Sequence, residues 1–133
     1  MRIRIESEVR PTEDPQKVLK ALRKLFSTNF ELVERGEGWA SWVGECEDPS
    51  CLEPLRSAIH SKSLDFTFRS ELRKLARGGG GRLVFRLNKQ AAFVGVPSFA
   101  EEDVDSPMGP IIVEIEADSQ EELYELINWL TGE

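Results

Sequence analysis

Six basic residues between positions 69 and 86 are the strongest chemical signal in this sequence. Arg69, Arg73, Lys74, Arg77, Arg82 and Arg86 stand there against one acid, Glu71. A guanidinium group presents its N–H donors in a fork that matches phosphate oxygens. On a helix, Arg69, Arg73 and Arg77 recur every four residues and line one face, because residues four apart are surface neighbours. Phe66 falls on the same polar face if that helix opens at Leu64. An exposed ring beside arginines suits single-stranded RNA: the ring stacks on a base and the guanidinium groups take phosphates. Gly78-Gly79-Gly80-Gly81 follows, and a loop without side chains lets backbone N–H groups approach an anion. Asn88 and Lys89 come next. Phe66, Arg69, Arg73, Lys74, Arg77, Arg82, Arg86, Asn88 and Lys89 are therefore the candidate nucleic-acid contacts. The competing reading is a solvated helix face, with Phe66 tucked under a neighbouring element. Asn88-Lys89-Gln90 likewise reads either as a hairpin turn or as a polar contact at a sheet end.

Catalytic chemistry finds little support. His60 is the sole histidine, and no Ser/His/Asp or Cys/His set assembles around it. Acidic runs such as Glu101-Glu102-Asp103 read as solvated surface. The four-glycine tract lacks the lysine and following helix of a nucleotide-phosphate loop. Cys46, Cys51 and His60 give three soft ligands at most, where structural zinc wants four. No enzyme activity, metal or cofactor is expected. The two thiols are expected to be free. A redox bridge is the alternative, since intracellular disulfides occur in hyperthermophiles.

The elements that must position these residues follow from composition and pattern. The length, 133 residues, fits one domain spanning 1–133. No apolar run approaches the roughly 18 residues that span a bilayer. The opening Met1-Arg2-Ile3-Arg4-Ile5-Glu6 alternates instead of forming a continuous secretory apolar stretch. A cytoplasmic protein with no membrane association is expected. Charged residues make up 31%, against a usual ~25%, and Asn and Gln number three each; both lean toward a thermophile. Net charge is −7, but it is divided: all 17 Lys and Arg lie in residues 1–89, and residues 90–133 hold 11 acids and no base. Local fields therefore say more about partners than net charge does.

Arg2 to Val9 alternates as a strand, with Ile3, Ile5 and Val9 on one face. Asp14 and Pro15 suit the N-cap and first position of a helix running to about Phe26. Val18, Leu22, Leu25 and Phe26 form its apolar stripe, with Leu19 at the margin; Lys17, Lys20, Arg23 and Lys24 lie around the other side. Phe30 to Arg35 and Trp39 to Cys46 read as strands joined at Gly36-Glu37-Gly38. Pro49-Ser50 opens a helix over Cys51 to His60. Ser63 is expected to cap another, Leu64 to Arg77, with Leu64, Phe68, Leu72 and Leu75 inward, and the glycines end it. Arg82 to Leu87 and Ala91 to Val96 read as strands about a tight turn. Ser98 to Pro110 is an acidic loop, and Ser106-Pro107-Met108-Gly109-Pro110 gives it a rigid shape. Ile111 to Ala117 is a strand. Ser119-Gln120-Glu121-Glu122 is a capping box opening the last helix. Trp39, Trp42 and Trp129 are expected in the core or at a dimer contact. The result is an α+β fold: two layers, a mostly antiparallel sheet of about six strands, helices on one face.

The octet Asn88-Lys89-Gln90-Ala91-Ala92-Phe93-Val94-Gly95 and the segment Ser106-Pro107-Met108-Gly109-Pro110-Ile111 resemble an archaeal family of uncharacterised proteins. Val9-Arg10-Pro11-Thr12-Glu13-Asp14 and Leu64-Asp65 match further family segments. Met108 stands where the family usually has leucine, and the four glycines depart from its pattern. The resemblance implies a ribosomal protein L5-like fold and, by analogy of fold, RNA binding. It brings no catalytic residues. Two function classes are therefore carried forward. One is an RNA-binding module. The other is a non-catalytic interaction protein, whose acidic C-terminal stretch meets a basic partner or the basic stretch of a second copy in a homodimer.

Overall fold

The computed structural model describes residues 1–100 and 109–132. The acidic run Glu101-Glu102-Asp103, Asp105 and Ser106-Pro107-Met108 lie outside the described residues. Strand β1 (Arg2–Val9) buries Ile3, Ile5, Ser7 and Val9 on one face and turns Arg2, Arg4, Glu6 and Glu8 to the other. Strands β4 (Arg82–Asn88) and β5 (Pro110–Glu116) repeat the alternation, whereas β2 (Phe30–Gly36) is mostly exposed and β3 (Trp39–Cys46) buries Ala40, Ser41, Trp42 and Gly44. These five strands form one antiparallel sheet in the order β2-β3-β1-β5-β4. Register follows the buried face: Ile3 opposes Ile115, and Ile115 opposes Leu83. A one-residue slip would turn every one of these side chains to solvent.

The helices cover that buried face. Helix α1 (Pro15–Leu25) starts as expected, with the Asp14 carboxylate accepting from the Gln16 N–H at 2.9 Å. It buries Val18, Leu19, Ala21, Leu22 and Leu25, and the Trp42 indole N–H donates to the Pro15 carbonyl at 2.8 Å. A 3-10 turn over Pro49–Leu52 precedes α2 (Glu53–Ser61), where one continuous helix was expected. Helix α3 (Asp65–Ala76) buries Phe68, Leu72 and Ala76. Leu75, expected inward, is left 43% exposed. Helix α5 (Gln120–Leu130) opens with the expected reciprocal cap. Ser119 Oγ accepts from the Glu122 N–H, and Glu122 accepts from the Asp118 N–H, both at 3.1 Å.

Three further expectations are corrected. Ala91 to Val96 is not a strand. Asn88 caps α4 (Lys89–Phe93), its side chain accepting from the Ala91 N–H at 3.0 Å, so the sheet has five strands. Asparagine at an N-cap is as favourable as in a turn, and Gln-Ala-Ala favours helix once capped. The edge of β4 is met instead by a short pairing of Leu87 with Phe99. Ser63 does not cap α3. It sits at φ 58°, the left-handed conformation that ends α2, and the Leu64 N–H reaches back to the Ile59 carbonyl at 2.9 Å. Cys46 and Cys51 are bridged, because the 3-10 turn folds back against the end of β3. Of the tryptophans, Trp42 is buried, but Trp39 is exposed beside the Arg10 guanidinium, 5.7 Å from its ring centroid.

The uncovered sheet face is electrically mixed. Arg2 pairs with Glu45 at 3.1 Å, Arg10 with Glu8 at 3.1 Å, and Glu6 with both Arg4 at 2.7 Å and Arg35 at 3.1 Å. Burial alone would raise the Glu6 carboxyl. Hydrogen bonds from Arg4 and Ser41 and the charges of Arg4 and Arg35 outweigh it and hold the group below the usual carboxylate range. A folded value below the unfolded one means stability that is present above pH ~4.3 and lost as pH falls through the folded value. Glu6→Gln is therefore expected to flatten the acid limb of a stability-against-pH curve without changing the plateau slope near neutrality. Identical acid limbs in urea titrations of the two proteins would contradict this.

Candidate nucleic-acid interface

Helix α3 carries the expected aromatic and basic stripe. At about 100° per residue, Phe66, Arg73 and Arg77 share one line, with Arg69 and Lys74 flanking it on either side. Phe66 is 78% exposed, the most exposed large apolar side chain among the described residues. It is therefore not tucked under a neighbour. Lys74 and Arg77 are exposed as well.

Arg69 and Arg73 have a structural task. Arg69 donates to the Thr131 carbonyl at 2.7 Å, and Arg73 donates to the Asn128 side-chain oxygen at 2.6 Å. Both tie α3 to the C-terminal end of α5, which needs donors for its last carbonyls. The glycine loop is also held. Gln120 donates to the Ala76 carbonyl at 2.8 Å and accepts from the Gly81 N–H at 2.9 Å. A Cβ at Gly81 would lie 2.9 Å from the Ala117 carbonyl oxygen, so only glycine fits there. The Gly79 N–H bonds to the Ala76 carbonyl, which leaves less of the loop for an anion than its composition implies.

The remaining candidates do not join this surface. Arg82 and Arg86 occupy the outward positions of β4, on the sheet face opposite the helices. The sheet stands between them and α3. Asn88 is spent on its cap. Lys89 is wholly buried: its ammonium donates to the Glu8 carbonyl at 2.6 Å and to the Glu13 carboxylate at 3.0 Å. Burial pushes that ammonium below the usual lysine range against the pull of Glu13. It has no surface to offer a phosphate, and its place among the nucleic-acid contacts is withdrawn.

A second cationic surface lies apart from the predicted contacts. Lys17, Lys20, Arg23 and Lys24 are all exposed on α1, which contains no acidic residue. Its signal in the sequence is four bases and no acid between Pro15 and Leu25. Such bases beside an amphipathic stripe look, in sequence, like any solvated helix face. Among the described residues no group of three or more His, Cys, Asp or Glu side chains is placed to hold a metal, and His60 lies 3.3 Å from Asp65. No helix there is long and apolar enough to cross a membrane.

Comparison with known proteins gives the chain a family. A family model described as RNA binding matches residues 2–117. A UPF0201 protein of Pyrobaculum aerophilum is 41% identical over 133 residues, covering 98% of this chain and 88% of the relative. The chain belongs to the UPF0201 family. A second UPF0201 protein, from Methanopyrus kandleri, is 35% identical, covering 99% of this chain and 85% of the relative. The crystal structure of a UPF0201 protein from Methanococcus jannaschii superposes with a TM-score of 0.83 at 30% identity, covering 98% of this chain and 99% of that one. A DUF54 protein from Methanothermobacter thermautotrophicus shares the fold at a TM-score of 0.63 and 23% identity, over 98% of this chain and 96% of the other.

Proposed function

We propose that this UPF0201 chain is a cytoplasmic, non-catalytic RNA-binding module that holds single-stranded RNA along α3. Phe66 stacks on a base. Lys74 and Arg77 take phosphates, and Arg69 and Arg73 add their charge while bracing α5. The observation that carries the reading is the 78% exposure of Phe66 on the line that also holds Arg73 and Arg77. A phenylalanine left in water on a rigid helix suits a platform that a flat apolar partner covers. The family-level description of RNA binding supports the same class of partner. The sheet face is the poorer surface for this task. Arg2, Arg4, Arg10 and Arg35 on that face are already paired with carboxylates, and its exposed aromatic, Trp39, lies under the Arg10 guanidinium instead of standing open for a base. The ribosomal protein L5-like relationship belongs to the same proposal; its shared feature is a layer of helices over an antiparallel sheet.

The test is a salt-titrated binding assay with single-stranded homopolymeric RNA. If Lys74 and Arg77 each neutralise a phosphate, log K should fall against log salt with a slope of about −1.4 from these two contacts. Absence of binding at low salt would overturn the reading. The same exposed phenylalanine also fits a contact between proteins. A homodimer that dissociates on Phe66→Ala, in a chain that binds no RNA, would assign the surface to assembly instead.

A further inference from the structure

We infer that α1 is a second RNA-contacting surface, a phosphate ridge formed by Lys17, Lys20, Arg23 and Lys24 on the outside of the helix layer. This rests on the RNA reading above but not on Phe66.

The first observation is direction. At about 100° per residue, the four cations fall within an arc of roughly 120°, and that arc is centred opposite the buried stripe of Val18, Leu19, Ala21, Leu22 and Leu25. The side chains point straight out from the core. From Lys17 to Lys24 the ridge is about 10 Å long at 1.5 Å per residue.

The second observation is the missing counter-charge. The chain as a whole carries −7, yet α1 contains four bases and no acid. Among the described residues the side chains of Lys17, Lys20 and Arg23 have no hydrogen-bond or ion-pair partner. Lys24 reaches the Phe93 carbonyl and so caps α4, which leaves it at the end of the ridge. On the open sheet face, by contrast, Arg2, Arg4, Arg10 and Arg35 are each paired with a carboxylate.

The third observation concerns the helix field. The N-terminal turn of a helix is positive and favours acids. Helices α2, α3 and α5 obey this with Glu53, Asp65, and Glu121 with Glu122 in their first turns. In helix α1 the only acid at the N-terminus is the N-cap Asp14, already engaged by the Gln16 N–H, and the first turn itself carries Lys17. A surface tuned only for helix stability would carry an acid in that turn.

The partner is the nucleic-acid backbone and not its bases. No aromatic side chain lies on the exposed face of α1, and lysine recognises phosphate as a point charge without a fixed geometry. The ridge should therefore be indifferent to sequence and accept single-stranded and duplex RNA alike.

The experiment compares two double variants of the full chain, each removing two positive charges. Lys17→Gln with Lys20→Gln halves the charge of the ridge; Arg82→Gln with Arg86→Gln removes equal charge from the opposite sheet face. Each is titrated with homopolymeric single-stranded RNA and with a duplex RNA of equal length. The α1 variant is expected to lose roughly tenfold or more in affinity for both probes at low salt, and its salt slope should shrink by about 1.5 to 2. Compared at about 0.15 M salt, where the screening length is about 8 Å, the sheet variant should change affinity less than about threefold, because its charges lie across the sheet from the bound strand. Equal losses in both variants would mean an effect of net charge and would overturn the ridge. So would an unchanged α1 variant in a protein whose RNA affinity falls on Phe66→Ala, which would leave the α3 reading standing alone. Failure of the unaltered chain to bind either RNA would remove both.

Discussion

Lys89→Met is expected to lower the stability of this protein by about 3–5 kcal/mol. The substitution keeps the length and most of the volume of the side chain, so packing changes little. What it leaves is the Glu13 carboxylate, only 8% exposed, without the ammonium 3.0 Å away that balances it. The Glu8 carbonyl loses its donor as well. An uncompensated buried charge costs far more than the pair itself contributes. Glu13→Gln should act in the same direction and less strongly, because the amide still accepts a hydrogen bond. Replacing both, as Glu13→Leu with Lys89→Met, should recover part of the loss. The recovery stops short of complete because the Arg10 N–H, which bonds Glu13 at 2.9 Å, stays unpaired. At a slope of about 2 kcal/mol per molar urea, the single lysine variant should move the unfolding midpoint down by roughly 2 M. A midpoint unchanged within a few tenths molar would mean that this pair does not hold α1 and α4 together.

Phe66→Ala is expected to weaken single-stranded RNA binding by roughly 5- to 150-fold, the equivalent of about 1–3 kcal/mol for one stacked base. The urea midpoint should barely move, since the ring is 78% exposed and buries little in the free protein. Phe66→Trp, with a larger face, should bind at least as well as the unaltered chain. The salt slope should stay the same in both, because stacking releases no counterions. That combination separates a stacking platform from a residue that shapes the helix. Unchanged affinity in Phe66→Ala, with RNA still bound, would show that the base rests elsewhere.

Local rules located most elements because their physics is short-ranged. The alternation of Arg2 to Val9, the Asp14-Pro15 start and the Ser119 capping box all recur in the structure, since each depends on residues within one turn or one pleat. The misreadings fall where two local outcomes are close in energy. Asn88 serves a turn or an N-cap equally well, and the choice fell to helix, with Lys89 packed against Glu13 from a segment 76 residues away. Ser63 fits an N-cap by type, but the end of α2 required its backbone for a left-handed turn. The bridge of Cys46 and Cys51 depended on a 3-10 turn that brought two unremarkable thiols together.

The candidate site divides the same way. Residue types and helical spacing were enough to put Phe66, Arg73 and Arg77 on one line, because helix geometry alone dictates it. They were also enough to place hydrophobic faces, strand alternation and the two-layer α+β class. Which charges remain available was decided only by tertiary structure. Proximity in sequence suggested one basic patch from Arg69 to Arg86, but the strand alternation of β4 sends Arg82 and Arg86 through the sheet to its far side. Burial took Lys89 out of the surface altogether, and α5 engaged Arg69 and Arg73. A charge can be counted along a chain. Its field depends on what the fold packs against it, and those partners come from segments far away in sequence.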